Sequence, residues 1–270
     1  MQKIKYMYDD NADKMLQMGF DKKFSDQRKV WIAKHHHKQL DYTAKELPIS
    51  EFIDKGLILF SNADNIRSIP SFMDGFKPSQ RKVVCGFLRR NQVKPIKVSQ
   101  IVGPISSDMA YHHGENSLVG TIINMAQNFV GSNNINLLNP SGQFGTRLKG
   151  GNDAASARYI LTSMEPVMRK IFVKEDDALL SYRTEDGKTV DPDFYLPIIP
   201  MILVNGSSGI GTGFSTNVPN HNPLEIIQCI RTLLNNQPLS SSQLLPWYRK
   251  FKGDIVREKT QILSKGKYTQ

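Results

Sequence analysis

The stretch Ile135–Arg147, INLLNPSGQFGTR, decides how the chain is read. The apolar Ile135, Leu137 and Leu138 read as a strand, and Pro140 with the glycines at 142 and 145 as a glycine-rich turn. Working outward, the segment before it, SLVGTIINMAQNFVG (117–131), reads as a helix that is apolar on most sides and buried. Before that, DGFKPSQRKVVCGFLRR (74–90) reads as a turn and then a helix from Ser79, with Val83, Val84, Phe87 and Leu88 inward and Arg81, Lys82, Arg89 and Arg90 on the other face. Several short helices, then a strand and a glycine-rich hairpin, form the pattern of a winged-helix unit of α+β class. After the hairpin, ARYILTSMEPVMRKIF (157–172) reads as helical again.

Farther out, the N-terminal segment is polar and helical, with Ser25 as the expected N-cap before Val30, Trp31 and Ile32. A cap at Ser50 starts a helix that continues to Ile69, where Pro70 stops it. The apolar run Ile198–Val204 suggests strands of a second subdomain, and NPLEIIQCIRTLLN (222–235) an amphipathic helix beginning at Pro223. Both ends read as cut from a longer polypeptide.

The 270 residues include 35 Lys and Arg against 25 Asp and Glu, a net charge of +10. An excess of this size favours polyanionic partners, nucleic acid or an anionic surface. Two cysteines far apart, Cys85 and Cys229, imply no disulfide framework and point to a reducing, intracellular compartment. No apolar run approaches the roughly 18 residues of a membrane span, and no apolar segment follows the first lysines as in a signal peptide.

The chemistry-bearing candidate is GGNDAASARYILT (150–162), where Tyr159 follows Arg158 amid small residues. A free phenol is a weak nucleophile near neutrality because its pKa is about 10. It attacks a phosphodiester only if its proton is withdrawn and the developing negative charge is held. Arg158 stays protonated, so it serves as the charge stabiliser and not as the base. Adjacent residues on a helix do not share a face. Both therefore reach one phosphate only from a helix end or an irregular turn, which Gly150 and Gly151 make possible. His112 and His113, beside Gly114 at the start of a buried helix, have the side chain suited to moving protons near neutrality. Arg67, Lys77, Arg81 and Lys82 surround a turn and a helix N-terminus, a place that receives phosphate oxygens.

Three other patterns are weaker. His35, His36 and His37 are consecutive in a polar loop and cannot all converge on one ion. Asp191 and Asp193 imitate a pair of magnesium carboxylates, but Pro192 separates them at the mouth of an apolar segment. NGSSGIGTG (205–213) lacks both the G-x-G-x-x-G order and the Lys-Ser/Thr of a phosphate loop.

In order along the chain stand IRSIPSFMDGFKPSQRKV, AYHHGENSL, AQNFVGSNNINLL, GQFGTR, DAASARYI, YLPIIPMILVNGSSGIGTG and NPLEII. Together they resemble the breakage-reunion core of the type IIA DNA topoisomerases, over nearly the whole chain. FVGSNNINLL and FDKKFSDQRKVW bring it closer to the eukaryotic and large-DNA-virus branch than to bacterial gyrase.

The resemblance implies a Toprim tail and linker at 1–50, a winged-helix catalytic domain at 51–197 and the start of an α/β tower domain at 198–270. Tyr159 would attack DNA and become linked to its 5′ end, with Arg158 at the same phosphate. The small residues around them would admit the duplex backbone. Arg67, Lys77, His112 and His113 would line the site, and Arg81, Lys82, Arg147 and Lys149 would hold flanking phosphates. Ile210 would wedge into a base step, its alternative being a buried isoleucine in a tight turn. The resemblance further implies double-stranded DNA as partner, a homodimer, and a nuclear location, or host cytoplasm for a viral protein. It implies Mg²⁺ and ATP, with their sites upstream and no metal ligand among these residues. Two rivals stand beside it. One is a non-catalytic winged-helix DNA-binding module. The other is a meiotic double-strand-break transesterase, which the matches beyond the winged helix argue against.

Overall fold

The computed structural model describes residues 3–34, 40–239, 244–259 and 261–267. His35–His37 lie outside the described residues. The chain divides into two compact units, residues 1–69 with 208–216, and residues 70–207 with 217–270. Helical residues 51–69 group with the N-terminal segment, and most of the C-terminal segment groups with the unit that carries Tyr159.

In the first unit, strand β1 (Lys5–Met7) pairs in parallel with β2 (Glu46–Pro48). Between them lie α1 (Ala12–Phe20), a short 3₁₀ turn (Lys22–Phe24) and α2 (Ser25–Ala33). Ser25 is the first residue of α2 and not its cap; Asp21 instead caps the 3₁₀ turn, accepting from the Lys23 amide at 2.9 Å. The buried Arg28 ties α2 to the end of α1, its Nε donating to Met18 O at 2.9 Å. The next helix begins as α3 (Ile49–Phe52), passes through a π turn (Ile53–Leu57) and continues as α4 (Ile58–Ser68). It starts one residue before the expected Ser50 cap and stops before Pro70, whose ring disfavours helical geometry in the residue ahead of it. Ile53 and Ile58 are its buried anchors.

In the second unit, α5 (Pro78–Arg90) has proline at its first turn, and the Lys77 amide donates to Gln80 Oε1 at 2.9 Å. Proline costs nothing there, because the first-turn amides have no helical partner. The helix ends at Asn91 in the left-handed region, a favoured stop. Val83, Val84, Phe87 and Leu88 are buried as expected. Strand β3 (Ile96–Lys97) leads into α6 (Val98–Asp108), and α7 (Glu115–Ala126) completes a three-helix cluster. A Cβ on Gly86 would stand 2.8 Å from Ile105, so the glycine permits the close approach of α5 and α6. Ile101, Leu118 and Ile122 fill the interior between these helices.

The expected strand at 135–138 forms no continuous ladder. It is an extended segment with isolated bridges, Leu138 to Met164 and Ser141 to Leu161. The expected helix over 157–172 is also absent. Residues 157–159 form a turn, β4 (Leu161–Thr162) pairs antiparallel with β3, and only α8 (Met168–Ile171) is helical. Pairing to β3 takes the backbone groups that a helix would have used.

The hairpin β5 (Tyr182–Glu185) and β6 (Lys188–Pro192) lies against α5, where Arg89 donates to Thr189 O at 2.8 Å. Ile198–Val204 is not a strand: α9 (Met201–Asn205) is a short helix, with Met201 and Val204 buried. Strands β7 (Ser207–Ile210) and β8 (Ser215–Val218) pair as a hairpin. Helix α10 (Pro223–Leu234) starts at Pro223 as expected, capped by the Asn222 side chain accepting from Leu224 N at 3.0 Å. A last hairpin joins β9 (Asp254–Glu258) and β10 (Gln261–Lys265). Among the described residues, no helix is long and apolar enough to cross a membrane.

Candidate DNA-cleavage site

Tyr159 stands on the exposed turn that leads into β4, beside the N-terminus of α6, with 65% of its surface open. The turn is fixed from both sides. Tyr159 N donates to Ser156 O at 2.9 Å, and the next residue, Ile160, is buried in the core. Val98 N donates to Ile160 O and Ser99 N to Ala157 O, each at 3.1 Å. These are first-turn amides of α6, which have no partner within their own helix. The helix N-terminus therefore holds the carbonyls on either side of the tyrosine, and the phenol projects outward.

The guanidinium carbon of Arg158 lies 4.8 Å from the centre of the Tyr159 ring. An irregular turn, not a helix, brings the two adjacent side chains to one side. Of the small residues before them, Ala155 and Ala157 pack against the core. Their size serves close packing of the turn as well as approach from outside.

The glycine loop beside the turn is closed by residues that no sequence motif singled out. Buried Gln127 donates through Nε2 to Phe144 O at 2.9 Å and to Gly151 O at 3.1 Å. Asp153 accepts from Thr146 N at 2.7 Å and from Thr146 Oγ1 at 2.8 Å. These two bonds hold its carboxyl below the usual carboxylate range. Gly151 has φ +83°, and a Cβ there would meet Gln127 at 2.4 Å, so both conformation and space demand glycine. The loop's tip is a 3₁₀ turn, Arg147–Lys149, whose three residues are all exposed. Arg147 is steadied by donating to Val130 O at 2.7 Å.

His112 and His113 are exposed on the connection between α6 and α7. His112 Nε2 lies 3.3 Å from Asp186 Oδ2, and the His113 ring packs edge-on against Tyr111. Lys77 sits at the N-cap of α5.

Arg81 and Lys82 are a correction. They do not form the expected outer basic face of α5. Arg81 is 5% exposed and grips Asp74 with two bonds of 2.7 and 3.0 Å. Lys82 is buried too, donating to Met109 O at 2.6 Å and lying 2.9 Å from Glu185 and 3.2 Å from Asp191. Their charges are satisfied internally, so they are not available to flanking phosphates in this conformation. Asp191, fully buried, is also held by Arg183 at 2.6 Å. A carboxylate bound to two cations inside the core does not suit a magnesium ion. Among the described residues, no group of three His, Cys, Asp or Glu side chains gathers as a metal site.

In the other unit, Arg67 lies on the last turn of α4 and donates to Asp64 at 2.6 Å. Ile210 ends strand β7 with 82% of its surface exposed, which removes the alternative of a buried isoleucine.

Residues 67–270 match the DNA gyrase/topoisomerase IV family model, and the chain belongs to that family. Residues 1–65 match the C-terminal associated domain of TOPRIM, close to where the structure divides. The chain is 54% identical to DNA topoisomerase 2 of Saccharomyces cerevisiae over 254 residues, 94% of this chain and 18% of that protein. It is 50% identical to the mitochondrial DNA topoisomerase 2 of Dictyostelium discoideum over 264 residues, 97% of this chain and 20% of that one. The DNA-binding, cleavage and re-ligation domain of Plasmodium falciparum topoisomerase II superposes with a TM-score of 0.82 at 46% identity, covering 94% of this chain and 35% of that chain. The chain thus spans about a fifth of the length of these curated relatives.

Proposed function

We propose that this chain is the breakage-reunion region of an ATP-dependent type II DNA topoisomerase, and that Tyr159 is its nucleophile. The observation that carries the reading is the anchored, outward-facing Tyr159 with Arg158 over its ring, in a chain of this family. The phenolic oxygen attacks a phosphodiester phosphorus of duplex DNA as its proton leaves. The bond from phosphorus to the 3′ oxygen breaks, and that oxygen takes up a proton. The 5′ phosphate remains on the tyrosine, and reversal of the step reseals the strand. Arg158 offsets the negative charge that builds on the phosphoryl oxygens. His112 and His113 are placed by the same reading near the reacting proton, and Arg67 and Lys77 near the phosphate. Arg147 and Lys149 hold a flanking phosphate from the loop tip. Ile210 opens a base step and bends the duplex.

The three-helix cluster α5–α7 with its small sheet is the winged-helix unit of this reading, and the segment from 198 begins a tower domain. Magnesium supplies Lewis-acid stabilisation in such a reaction. Among the described residues no such group of ligands gathers, and the family pattern assigns those carboxylates, like the ATP site, to other parts of the enzyme. The reading places one cut strand on each protomer of a homodimer, in a DNA-containing compartment, the nucleus by family analogy.

The test is Tyr159→Phe in the intact enzyme. Denaturant trapping should recover no covalent protein–DNA complex, while duplex binding stays close to wild type because no phosphate-contacting charge is removed. A covalent complex formed by the variant would exclude Tyr159 as the nucleophile. ATP-dependent relaxation of supercoiled plasmid by the wild-type enzyme tests the wider activity.

A further inference from the structure

Ile210 is an exposed apolar residue on a glycine-rich hairpin, a construction that on its own is mobile. A wedge that must hold two base pairs apart needs a fixed base. The structure supplies one from the end of α4, two residues that carry no role in the cleavage chemistry.

Asp64 Oδ2 accepts from Thr212 Oγ1 at 3.0 Å, and Asn65 Nδ2 donates to Thr212 O at 3.1 Å. One threonine, two residues past Ile210, is thus gripped through both side chain and backbone. Gly211 N also donates to Phe214 O at 2.9 Å, closing the turn. The fit is tight: a Cβ on Gly211 would stand 2.2 Å from Asn65 Oδ1. Asp64 does double duty. Its other oxygen accepts from Arg67 at 2.6 Å, and the Asp64 side chain is 18% exposed. The Arg67 guanidinium, with Thr212 assisting, keeps its carboxyl below the usual carboxylate range.

We propose that Asp64 and Asn65 are positioning residues that latch the Ser208–Thr216 hairpin to the end of α4, so that Ile210 and Arg67 meet DNA as one preset unit. The proposal rests on the reading of Ile210 as the wedge. Preorganisation of this kind means that the ordering of the hairpin need not be repeated at each binding event. It also links a phosphate-seeking cation to the wedge through one carboxylate, so engagement of the backbone and entry into the base step become coupled.

The experiment uses the full-length enzyme and a duplex carrying a fluorophore at each end, with bending read by energy transfer. Thr212→Val removes the hydroxyl and keeps the shape, and should lower the bent-to-straight ratio about tenfold, the scale of a lost hydrogen bond to a charged group. Thr212→Ser keeps the hydroxyl and should restore bending. Because the latch acts through Ile210, Thr212→Val should cost nothing further in an Ile210→Ala background, a comparison independent of any change in fold stability. Additive losses in the double variant, or normal bending by Thr212→Val where Ile210→Ala has lost it, would overturn the latch and leave the wedge standing. Unchanged bending in Ile210→Ala alone would instead overturn the wedge reading, and the latch with it.

Discussion

The cations of α5 and those of the glycine loop carry the same formal charge and meet opposite fates. Arg81 and Lys82 are adjacent on a helix and buried against Asp74, Glu185 and Asp191. Arg147 and Lys149 flank an exposed Leu148 at a loop tip, with solvent on their outer side. A basic sequence therefore does not report how much charge faces a polyanion. Part of the excess is consumed in holding the fold, and only the remainder is free to face a polyanion.

The largest effect that sharpens this contrast is expected from Asp74→Ala. Asp74 accepts from Arg81, from Phe76 N at 2.9 Å and from Tyr195 N at 2.9 Å. Its removal strands a buried guanidinium, which costs about 3–5 kcal/mol. Urea unfolding should read that loss, and a midpoint unchanged from wild type would break the comparison. Next comes Arg158→Ala in the intact enzyme, where cleavage should slow about 10²–10³-fold while duplex affinity changes little. Equal losses in rate and affinity would show that Arg158 only positions the DNA.

Arg147→Ala and Lys149→Ala should each reduce the slope of log affinity against log salt by about 1 and leave thermal unfolding unchanged. Arg81→Ala should do the reverse, losing stability with its salt slope intact. A reduced slope in Arg81→Ala would return that residue to the DNA surface. The smallest effect concerns the thiols. Burial pushes the Cys85 thiol up, so alkylation of the native protein should label the half-buried Cys229 first.

What was legible in the sequence follows from where the forces are local. The start of α10 was visible because Pro223 acts within one turn of itself, and α5 begins one residue before the expected Ser79, at Pro78. The inward face of α5 was visible through helical spacing. The turn around Tyr159 was not, since ARYILT has helix-forming neighbours and only the pairing of Leu161–Thr162 with Ile96–Lys97 ends the helical reading there. The run Ile198–Val204 failed as a strand for the converse reason: its backbone makes single hydrogen bonds, Ile198 N to Ile171 O and His221 N to Leu203 O, instead of a ladder, and Met201–Asn205 closes into α9. Buried cations escaped notice because their partners come from separate hairpins and turns. Gln127 escaped because a single amide closing a loop has no spacing signature. The chemical candidates Arg158 and Tyr159 were legible as residues, but the reason they share a side lies in three-dimensional pairing.

The attachment of the tyrosine turn has a mechanical consequence. Because the carbonyls of Ala157 and Ile160 occupy the first-turn amides of α6, peeling the turn away would leave two amides of that helix bare. Those two bonds couple Tyr159 to α6, and both survive only if the turn and the helix move together. In the proposed reaction, a 5′ end held on Tyr159 would then travel on a helix-sized lever instead of a loop. A severed strand could be drawn aside and brought back to register with its alignment preserved through the excursion.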